Sequence, residues 1–154
     1  ALSTPLQLAV MTARIASNGR KIEPSIFKEN FVNEFKKINL NNSHIDLIKK
    51  GMFEVVNKAK GTAFKSKSNL FNFSGKTGTS QVKKITLEER ESEDFRKKNL
   101  EWENNDHALF VGYMPSDKPK YAISVVIEHG GSGSSTAAPI AKKIFDYLHK
   151  VNIT

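Results

Sequence analysis

The fold of this chain of 154 residues is most constrained by two segments rich in β-branched and aromatic residues. A short cluster of turn formers lies between them. The segments are Ala108 to Tyr113 and Tyr121 to Glu128, and the cluster from Met114 to Lys120 contains two prolines. β-Branched and aromatic residues favour strands, and a polar, proline-containing link of this length favours a hairpin. The sequence therefore predicts two antiparallel strands.

Two helices are expected before these strands. Residues 6–16 are apolar on most sides, which predicts a buried helix, and Ser3-Thr4-Pro5 supplies a capping hydroxyl and a proline for its first turn. Asn18-Gly19 is a typical helix end. We expect Ser43 to cap a second, amphipathic helix, because apolar residues then recur at steps of three and four. Its predicted buried face consists of Ile45, Ile48, Met52, Val55 or Val56, and Ala59.

A third strand and a last helix complete the predicted fold. The stretch from Phe71 to Val82 favours a strand, and the pattern from Ala137 to His149 favours an amphipathic helix. The apolar face of that helix consists of Ile140, Ile144, Phe145 and Leu148. Strands that follow one another without intervening helices favour an antiparallel sheet. We therefore expect an α+β fold in which helices cover an antiparallel sheet.

Two connections are expected to lie outside the core. Residues 83–106 hold eight acidic and six basic side chains and little apolar content, which indicates a solvated insert between two strands. Gly130 to Ser135 contains only glycine and serine, which predicts a flexible link before the last helix.

The composition excludes several kinds of chemistry. The chain has no cysteine, which excludes disulfides, thiolate catalysis and cysteine-ligated zinc. Its four histidines are scattered, so we expect no metal and no other cofactor. The net charge of +8 comes from 20 lysines and only four arginines. Because arginine is the commoner reader of bases, and because the charge is scattered, we expect no specific binding of nucleic acid.

The strongest local signal is the motif from Ser74 to Thr79, Ser-Gly-Lys-Thr-Gly-Thr. At a strand edge, the Lys76 ammonium can bind a carboxylate, and the hydroxyls of Thr77 and Thr79 can donate to the same group. Gly78 has no side chain to keep a peptide from lying alongside the strand. The Thr79 N–H can donate to an oxyanion. The motif therefore indicates a carboxylate-binding strand edge, and the simpler alternative is a glycine-containing edge with a solvated lysine.

Six blocks, in order along the chain, resemble class B penicillin-binding proteins. A Lys-Thr-Gly triplet is one of three sequence elements of penicillin-binding proteins and serine β-lactamases, together with Ser-x-x-Lys and Ser-Asp-Asn. The blocks are Thr4-Pro5-Leu6-Gln7-Leu8-Ala9, Gly51-Met52 with Val55-Val56, Gly61-Thr62-Ala63, Lys76-Thr77-Gly78-Thr79-Ser80-Gln81, His107-Ala108-Leu109-Phe110-Val111-Gly112-Tyr113 and Glu128-His129-Gly130-Gly131. The last three blocks are most similar to penicillin-binding protein 2.

This resemblance implies a fold and an activity. Residues 1–154 would be the C-terminal part of a transpeptidase domain with the serine β-lactamase-like fold, carrying the insert at 83–106. The parent enzyme would be a serine-type D,D-transpeptidase that cross-links peptidoglycan stem peptides in cell-wall synthesis during elongation. Implied partners are the D-Ala-D-Ala stem peptide, β-lactam antibiotics, the remainder of the domain and a glycan polymerase of the elongation machinery. The implied location is the periplasmic face of the bacterial inner membrane, with the anchor in an N-terminal segment.

The resemblance also assigns roles to residues. Lys76 would be catalytic, and so would Thr79 through its backbone N–H at the oxyanion. Substrate would be bound by Lys76, Thr77, Gly78 and Thr79. In this family the nucleophilic serine and the Ser-x-Asn element precede the block with which this chain begins. We therefore expect no nucleophile in this chain and no activity from the chain alone.

The chain contains two Ser-x-x-Lys matches, from Ser25 to Lys28 and from Ser80 to Lys83. Two matches are about what chance gives for this many serines and lysines. Ser25 follows a proline in an extended stretch, whereas the nucleophile of this motif begins a helix, and Ser80 already belongs to the predicted substrate strand. Neither is interpreted as the nucleophile.

Two alternatives remain open from the sequence. A β-lactamase or penicillin-sensing domain would share the strand motif but not the flanking blocks. A non-catalytic basic binding module would make the triplet accidental.

Overall fold

The computed structural model describes residues 2–27, 35–82 and 102–151. Its helices are α1 (Pro5–Ala16), α2 (Asn42–Asn57) and α3 (Ala138–Val151), and its strands are β1 (Ser74–Ser80), β2 (His107–Met114) and β3 (Tyr121–Ile127). Shorter elements are the 3-10 helices Phe64–Ser66 and Trp102–Asn104 and one π-helical turn, Gly133–Ala137. In these three stretches no helix has the length and apolar character that crossing a membrane requires.

The three strands form one antiparallel sheet in the order β1-β2-β3. Lys76 of β1 is opposite Val111 of β2, and Gly78 is opposite Leu109. Since β1 stands at one end of this order, its outer edge pairs with no strand of the described residues. The predicted α+β class and the antiparallel arrangement are confirmed, and β2 and β3 agree with the predicted segments within one residue.

One face of the sheet is covered by α3, and we call it the α3 face. Residues opposite each other on neighbouring strands share a face, which places Thr77, Phe110 and Val125 together here. The buried residues of this core are Val56, Ala63, Phe73, Ala108, Phe110, Met114, Val125, Ala137, Ala138, Ala141 and Phe145. The rings of Phe73 and Phe145 lie 5.2 Å apart at its centre.

The opposite face, which we call the α1 face, is covered at one end only. There Tyr113 packs with Ala16 of α1 and Met52 of α2 in a second buried cluster. Farther along the same face, Leu109 is only half buried, and Lys76 on the neighbouring strand is exposed. Lys76 therefore stands beside a partly uncovered apolar strip of the sheet.

Helix α1 begins and ends where the sequence indicates. The Thr4 hydroxyl accepts a hydrogen bond from the Gln7 N–H at 3.2 Å, and the Thr4 N–H donates to Gln7 Oε1 at 2.8 Å, which forms a capping box. Pro5 occupies the first turn, where no N–H is needed. Asn18 and Gly19 then adopt φ angles of 58° and 80°, which turn the chain out of the helix.

The prediction that α1 is buried is wrong for the described part of the molecule. Its buried residues are only Thr12 and Ala16, whereas Leu6 is 60% and Met11 45% exposed. One side of the helix packs on the sheet, and the opposite side lines an open groove of about 620 Å³ together with Ile38. The helix is apolar on most sides, but the described residues cover only one side of it.

Helix α2 differs in its start and in its buried face. The Asn41 side chain accepts a hydrogen bond from the Ser43 N–H at 2.9 Å, so Asn41 is the cap in place of Ser43. Asparagine caps a helix as well as serine does, which is why the sequence left the choice of cap poorly defined. The buried members of the predicted face are Ile45, Met52 and Val56. Ile48 is 45% exposed, and Ala59 lies beyond the end of the helix.

Three other predicted bounds are corrected. The first strand spans Ser74–Ser80 and not the stretch from Phe71 to Val82, because Phe73 precedes the strand and buries its ring in the core. The link from Gly130 to Ser135 is not simply flexible, since its second half belongs to the π-helical turn. As a result α3 begins one residue later than predicted.

Most of the predicted charged insert, residues 83–101, lies outside the described residues. Its last part is bound to the end of the sheet and is not merely solvated. The Asp106 carbonyl accepts a hydrogen bond from the Gly131 N–H at 2.8 Å, and the Asp106 carboxylate accepts one from the Val82 N–H at 3.2 Å. The rings of Trp102 and His129 lie 4.5 Å apart. Trp102 and Glu103 are exposed, so this part of the insert is solvated as predicted, but Asp106 also anchors it to the sheet.

Because of Tyr113, the free energy of unfolding changes with pH in the alkaline range. Its side chain is 1% exposed and hydrogen-bonded to Ser74. Burial raises the pKa of Tyr113 above the ordinary 10.0, and the hydrogen bond to Ser74 offsets part of the rise. Above pH 10 the folded protein therefore retains a proton that the unfolded chain releases, so the free energy of unfolding falls as the pH rises.

Tyr113→Phe should make the fall in the free energy of unfolding above pH 10 less steep. One retained proton contributes a slope of at most about 1.4 kcal/mol per pH unit. Chemical denaturation at several pH values above 9 measures it, with Tyr147→Phe, at a side chain that is 68% exposed, as the matched control. An unchanged pH slope in Tyr113→Phe would contradict the assignment.

Candidate functional site

Strand β1 presents the predicted motif at the open edge of the sheet. Lys76 is exposed, and its Nζ donates to the Thr77 carbonyl at 2.6 Å. The ion pairs found among the described residues join other lysines and do not include Lys76. An ammonium group has three donors, so two remain for an incoming anion. This geometry suits a lysine that binds a negatively charged ligand.

Thr77 is joined to a residue far from it in sequence. The Thr77 and Thr62 hydroxyl oxygens lie 2.8 Å apart, and either group can be the donor. Thr62 belongs to the Gly61-Thr62-Ala63 block that follows α2. The sequence marks this block as the stop after α2 and as one of the six blocks of the resemblance, and neither signal indicates a contact with β1. The structure adds Thr62 to the candidate site.

The turn that carries Thr62 is held firmly on both sides. The Ala63 N–H donates to the Val55 carbonyl of α2 at 3.0 Å, and Ala63 is 1% exposed in the core. A Cβ on Gly61 would lie 2.2 Å from the Val55 carbonyl oxygen, so only glycine allows this close approach. The position of Thr62 against β1 is therefore fixed by the packing of its neighbours.

The two glycines of the motif have different surroundings. A Cβ on Gly75 would lie 2.2 Å from Phe110 Cζ, so packing requires that glycine. A Cβ on Gly78 would meet only the Leu109 Cβ, at 3.3 Å. Packing therefore leaves more room at residue 78 than at residue 75. Thr79 is exposed farther along the same strand.

The π-helical turn supports β1 from the α3 face. A Cβ on Gly133 would lie 2.3 Å from both the Gly78 and the Leu109 carbonyl oxygens, so the turn touches the backbone of β1 and β2 directly. Ala137 in the same turn is fully buried in the core. The strand segment at Gly78 is thus held in place from behind.

The other singled-out residues do not form a second site. The Ser25 hydroxyl donates to the Phe27 carbonyl at 3.0 Å in a stretch that is neither helix nor strand, and Ser80 ends β1. His107 accepts a hydrogen bond from the His129 N–H at 2.9 Å. Within the described ranges no three histidine or acidic side chains are grouped so as to hold a metal ion.

Residues 2–146 match the penicillin-binding protein transpeptidase domain. The chain belongs to this family. The peptidoglycan D,D-transpeptidase MrdA of Haemophilus influenzae is 35% identical to it, and that of Acinetobacter baumannii 37%, each over 94% of this chain. The chain spans only 23% and 22% of the length of these two transpeptidases.

Solved structures of the same transpeptidase family agree with the fold. Penicillin-binding protein 2 of Helicobacter pylori, in complex with MreC, has a TM-score of 0.77 and 29% identity over 99% of this chain and 26% of its own. Penicillin-binding protein 2 of Pseudomonas aeruginosa, in complex with WCK 5153, has a TM-score of 0.65 and 32% identity over 94% of this chain and 29% of its own. The resemblance to class B penicillin-binding proteins of the penicillin-binding protein 2 (MrdA) type is confirmed, and so is the fold.

Gly133→Ala should destabilise this transpeptidase fold, because the new methyl group collides with two backbone carbonyls. Overpacking of this kind costs about 1–3 kcal/mol. Gly51→Ala is the matched control, since nothing lies within 4 Å of a Cβ there and alanine should stabilise α2 by up to about 1 kcal/mol. Chemical denaturation compares the two variants. A Gly133→Ala variant as stable as the parent would contradict the close contact of the turn with the backbone of β1 and β2.

Proposed function

We propose that residues 1–154 are the C-terminal part of the transpeptidase domain of a peptidoglycan D,D-transpeptidase. The parent enzyme cross-links stem peptides in cell-wall synthesis during elongation. The family match over residues 2–146 and the names of the MrdA relatives support this proposal. The observation that carries it is the exposed Lys76 ammonium, which donates to the Thr77 carbonyl at a strand edge that no described strand covers. A β-lactamase or a basic binding module lacks comparable support.

In the proposed mechanism, β1 holds the D-Ala-D-Ala end of a stem peptide. Thr77 and Thr79 lie on one face of β1 and Lys76 on the other, so we place the terminal carboxylate at the outer edge between them. There the two hydroxyls and the ammonium bind it through charge-assisted hydrogen bonds. The peptide lies along the outer edge of the strand, where Gly78 leaves space for it. The Thr79 N–H donates to the carbonyl oxygen as negative charge develops on it.

The covalent step needs a nucleophile from the preceding part of the domain. We propose that the serine of a Ser-x-x-Lys element there attacks the D-Ala-D-Ala carbonyl and gives its proton to the lysine of that element. The terminal D-Ala leaves with a proton on its amine, and the acyl-enzyme is then attacked by the amine of a second stem peptide. A β-lactam carries an equivalent carboxylate and acylates the same serine.

The partners and the location are proposed on the same basis. The complex of the Helicobacter pylori relative with MreC supports assembly with other proteins, and we propose a glycan polymerase of the elongation machinery among them. The parent would be anchored in the bacterial inner membrane with this domain on the periplasmic face.

Lys76→Ala in the full-length parent should slow acylation far more than it disturbs folding. The side chain is exposed and bonds only to a neighbouring carbonyl, so its removal leaves no cavity. A charge-assisted hydrogen bond realised in the transition state is worth on the order of 1.5–3 kcal/mol, or about ten- to more than a hundredfold in rate. The measurement is the second-order rate constant for acylation by a labelled penicillin.

Two further variants sharpen this experiment. Lys76→Arg should rescue poorly, because a planar guanidinium does not replace a compact ammonium. Lys118→Ala, at another exposed lysine in the turn between β2 and β3, should react like the parent. A rate ratio near one for folded Lys76→Ala would reject the proposed role of Lys76 and, with it, the main support for the function.

The isolated chain should form no stable acyl-enzyme with a labelled penicillin. The nucleophile is expected in the preceding part of the domain, and a hydroxyl without an activating base is too weak a nucleophile for this step. Mass spectrometry of the chain after incubation tests this, with the full-length parent as the positive control. Stoichiometric labelling of the chain would overturn the expectation, and labelling at Ser25 would restore that residue as a candidate nucleophile.

A further inference from the structure

The hydroxyl pair of Thr62 and Thr77 is placed where the proposed function needs a directed hydrogen bond. The two oxygens lie 2.8 Å apart in an exposed position at the edge of β1. Such a bond adds little to folding, because water can satisfy both groups in the unfolded chain. Yet the turn that carries Thr62 is fixed by the buried Ala63 and by the close approach of Gly61 to α2. The chain therefore holds an exposed hydroxyl rigidly against a strand hydroxyl.

The chemistry of a carboxylate determines how this pair must be oriented when a ligand is bound. An ionised carboxylate only accepts hydrogen bonds, so the Thr77 hydroxyl has to donate its single proton to it. Thr77 then no longer donates to Thr62, and the Thr62 hydroxyl becomes the donor to Thr77 Oγ1. Lys76 lies on the opposite face of the strand, and its Nζ donates to the backbone carbonyl of Thr77 and not to the hydroxyl. Two hydroxyls in series polarise each other, which strengthens the bond to the carboxylate.

We propose that Thr62 is a positioning residue for the carboxylate of the stem peptide and of β-lactams. It holds the Thr77 hydroxyl in the rotamer that points its proton at the ligand. Thr62 acts through Thr77, so it need not touch the ligand. This inference rests on the proposed function, and it assigns a role to the Gly61-Thr62-Ala63 block.

The first test compares two substitutions in the full-length parent. Thr62→Val keeps the shape of the side chain and removes the hydroxyl, and Thr62→Ser keeps the hydroxyl. Thr62→Val should lower the second-order acylation rate constant for a labelled penicillin about two- to tenfold, the range of one neutral hydrogen bond. Thr62→Ser should stay within about twofold of the parent. Thr12→Val, at a buried helical threonine that bonds only within α1, is the matched control and should react like the parent.

The second test asks whether the effect passes through Thr77 to the carboxylate. In a double-mutant cycle, Thr62→Val should add little to Thr77→Val, because the first residue acts through the second. The methyl ester of the same penicillin has no carboxylate charge. With this ester, the ratio of the parent's acylation rate constant to that of Thr62→Val should fall toward one. A general structural defect would lower the rate equally for the acid and the ester.

The outcomes separate this inference from the proposed function. If Lys76→Ala and Thr77→Val both slow acylation while Thr62→Val does not, the positioning role is wrong and the transpeptidase site stands. Additive effects in the cycle, or equal losses with acid and ester, would also overturn the role of Thr62. If Lys76→Ala and Thr77→Val leave acylation unchanged, the carboxylate site itself is wrong, and the role of Thr62 falls with it.

Discussion

The pairing of β1 with β2 is the interaction on which the rest of the structure depends, because it fixes a strand that has only one paired edge among the described residues. Phe110 secures this pairing. Its ring lies over two glycines that are directly opposite each other, Gly75 and Gly112, and a Cβ on either would come within 2.7 Å of the ring. An aromatic ring over paired glycines compensates for the missing side chains and sets the register. The motif therefore contains one glycine that packing requires, Gly75, and one with more open surroundings, Gly78.

The beginning of β1 is anchored more strongly than its end. Ser74 is 1% exposed and bonds the hydroxyl of Ser116 at 2.8 Å as well as Tyr113. Lys76 and Thr79, farther along the strand, are exposed. A site on a strand with a buried beginning and a supported backbone is held in position before a ligand arrives, which is what electrostatic stabilisation of a transition state requires.

Local patterns predicted much of this fold, and long-range packing decided what they missed. Features that depend on neighbouring residues are visible in the sequence directly. They include the capping of α1, the β-forming residues of β2 and β3 and the motif of β1. The burial of α1 depends on which other parts of the chain cover it, and the π-helical turn depends on the fit of Gly133 against two strands. The pairing of Thr62 with Thr77 spans 15 positions and has no periodicity to reveal it. The charges of the insert predicted a polar segment but did not show that Asp106 accepts hydrogen bonds from Val82 and Gly131.

The buried residues of β1 differ from the exposed residues to which we assign the proposed site, so that site can be tested by mutation. Gly75 and Ser74 are buried and hold the strand in the sheet, so their replacement would disturb the fold before any effect on activity could be read. Lys76 lies on the half-covered α1 face and supports no core contact. Thr77 lies between these two extremes, since its backbone is paired in the sheet while its hydroxyl is joined to Thr62 at the exposed edge. In the proposed mechanism the Thr77 hydroxyl therefore connects the site to the fold, because the turn that carries Thr62 is held by the buried Ala63.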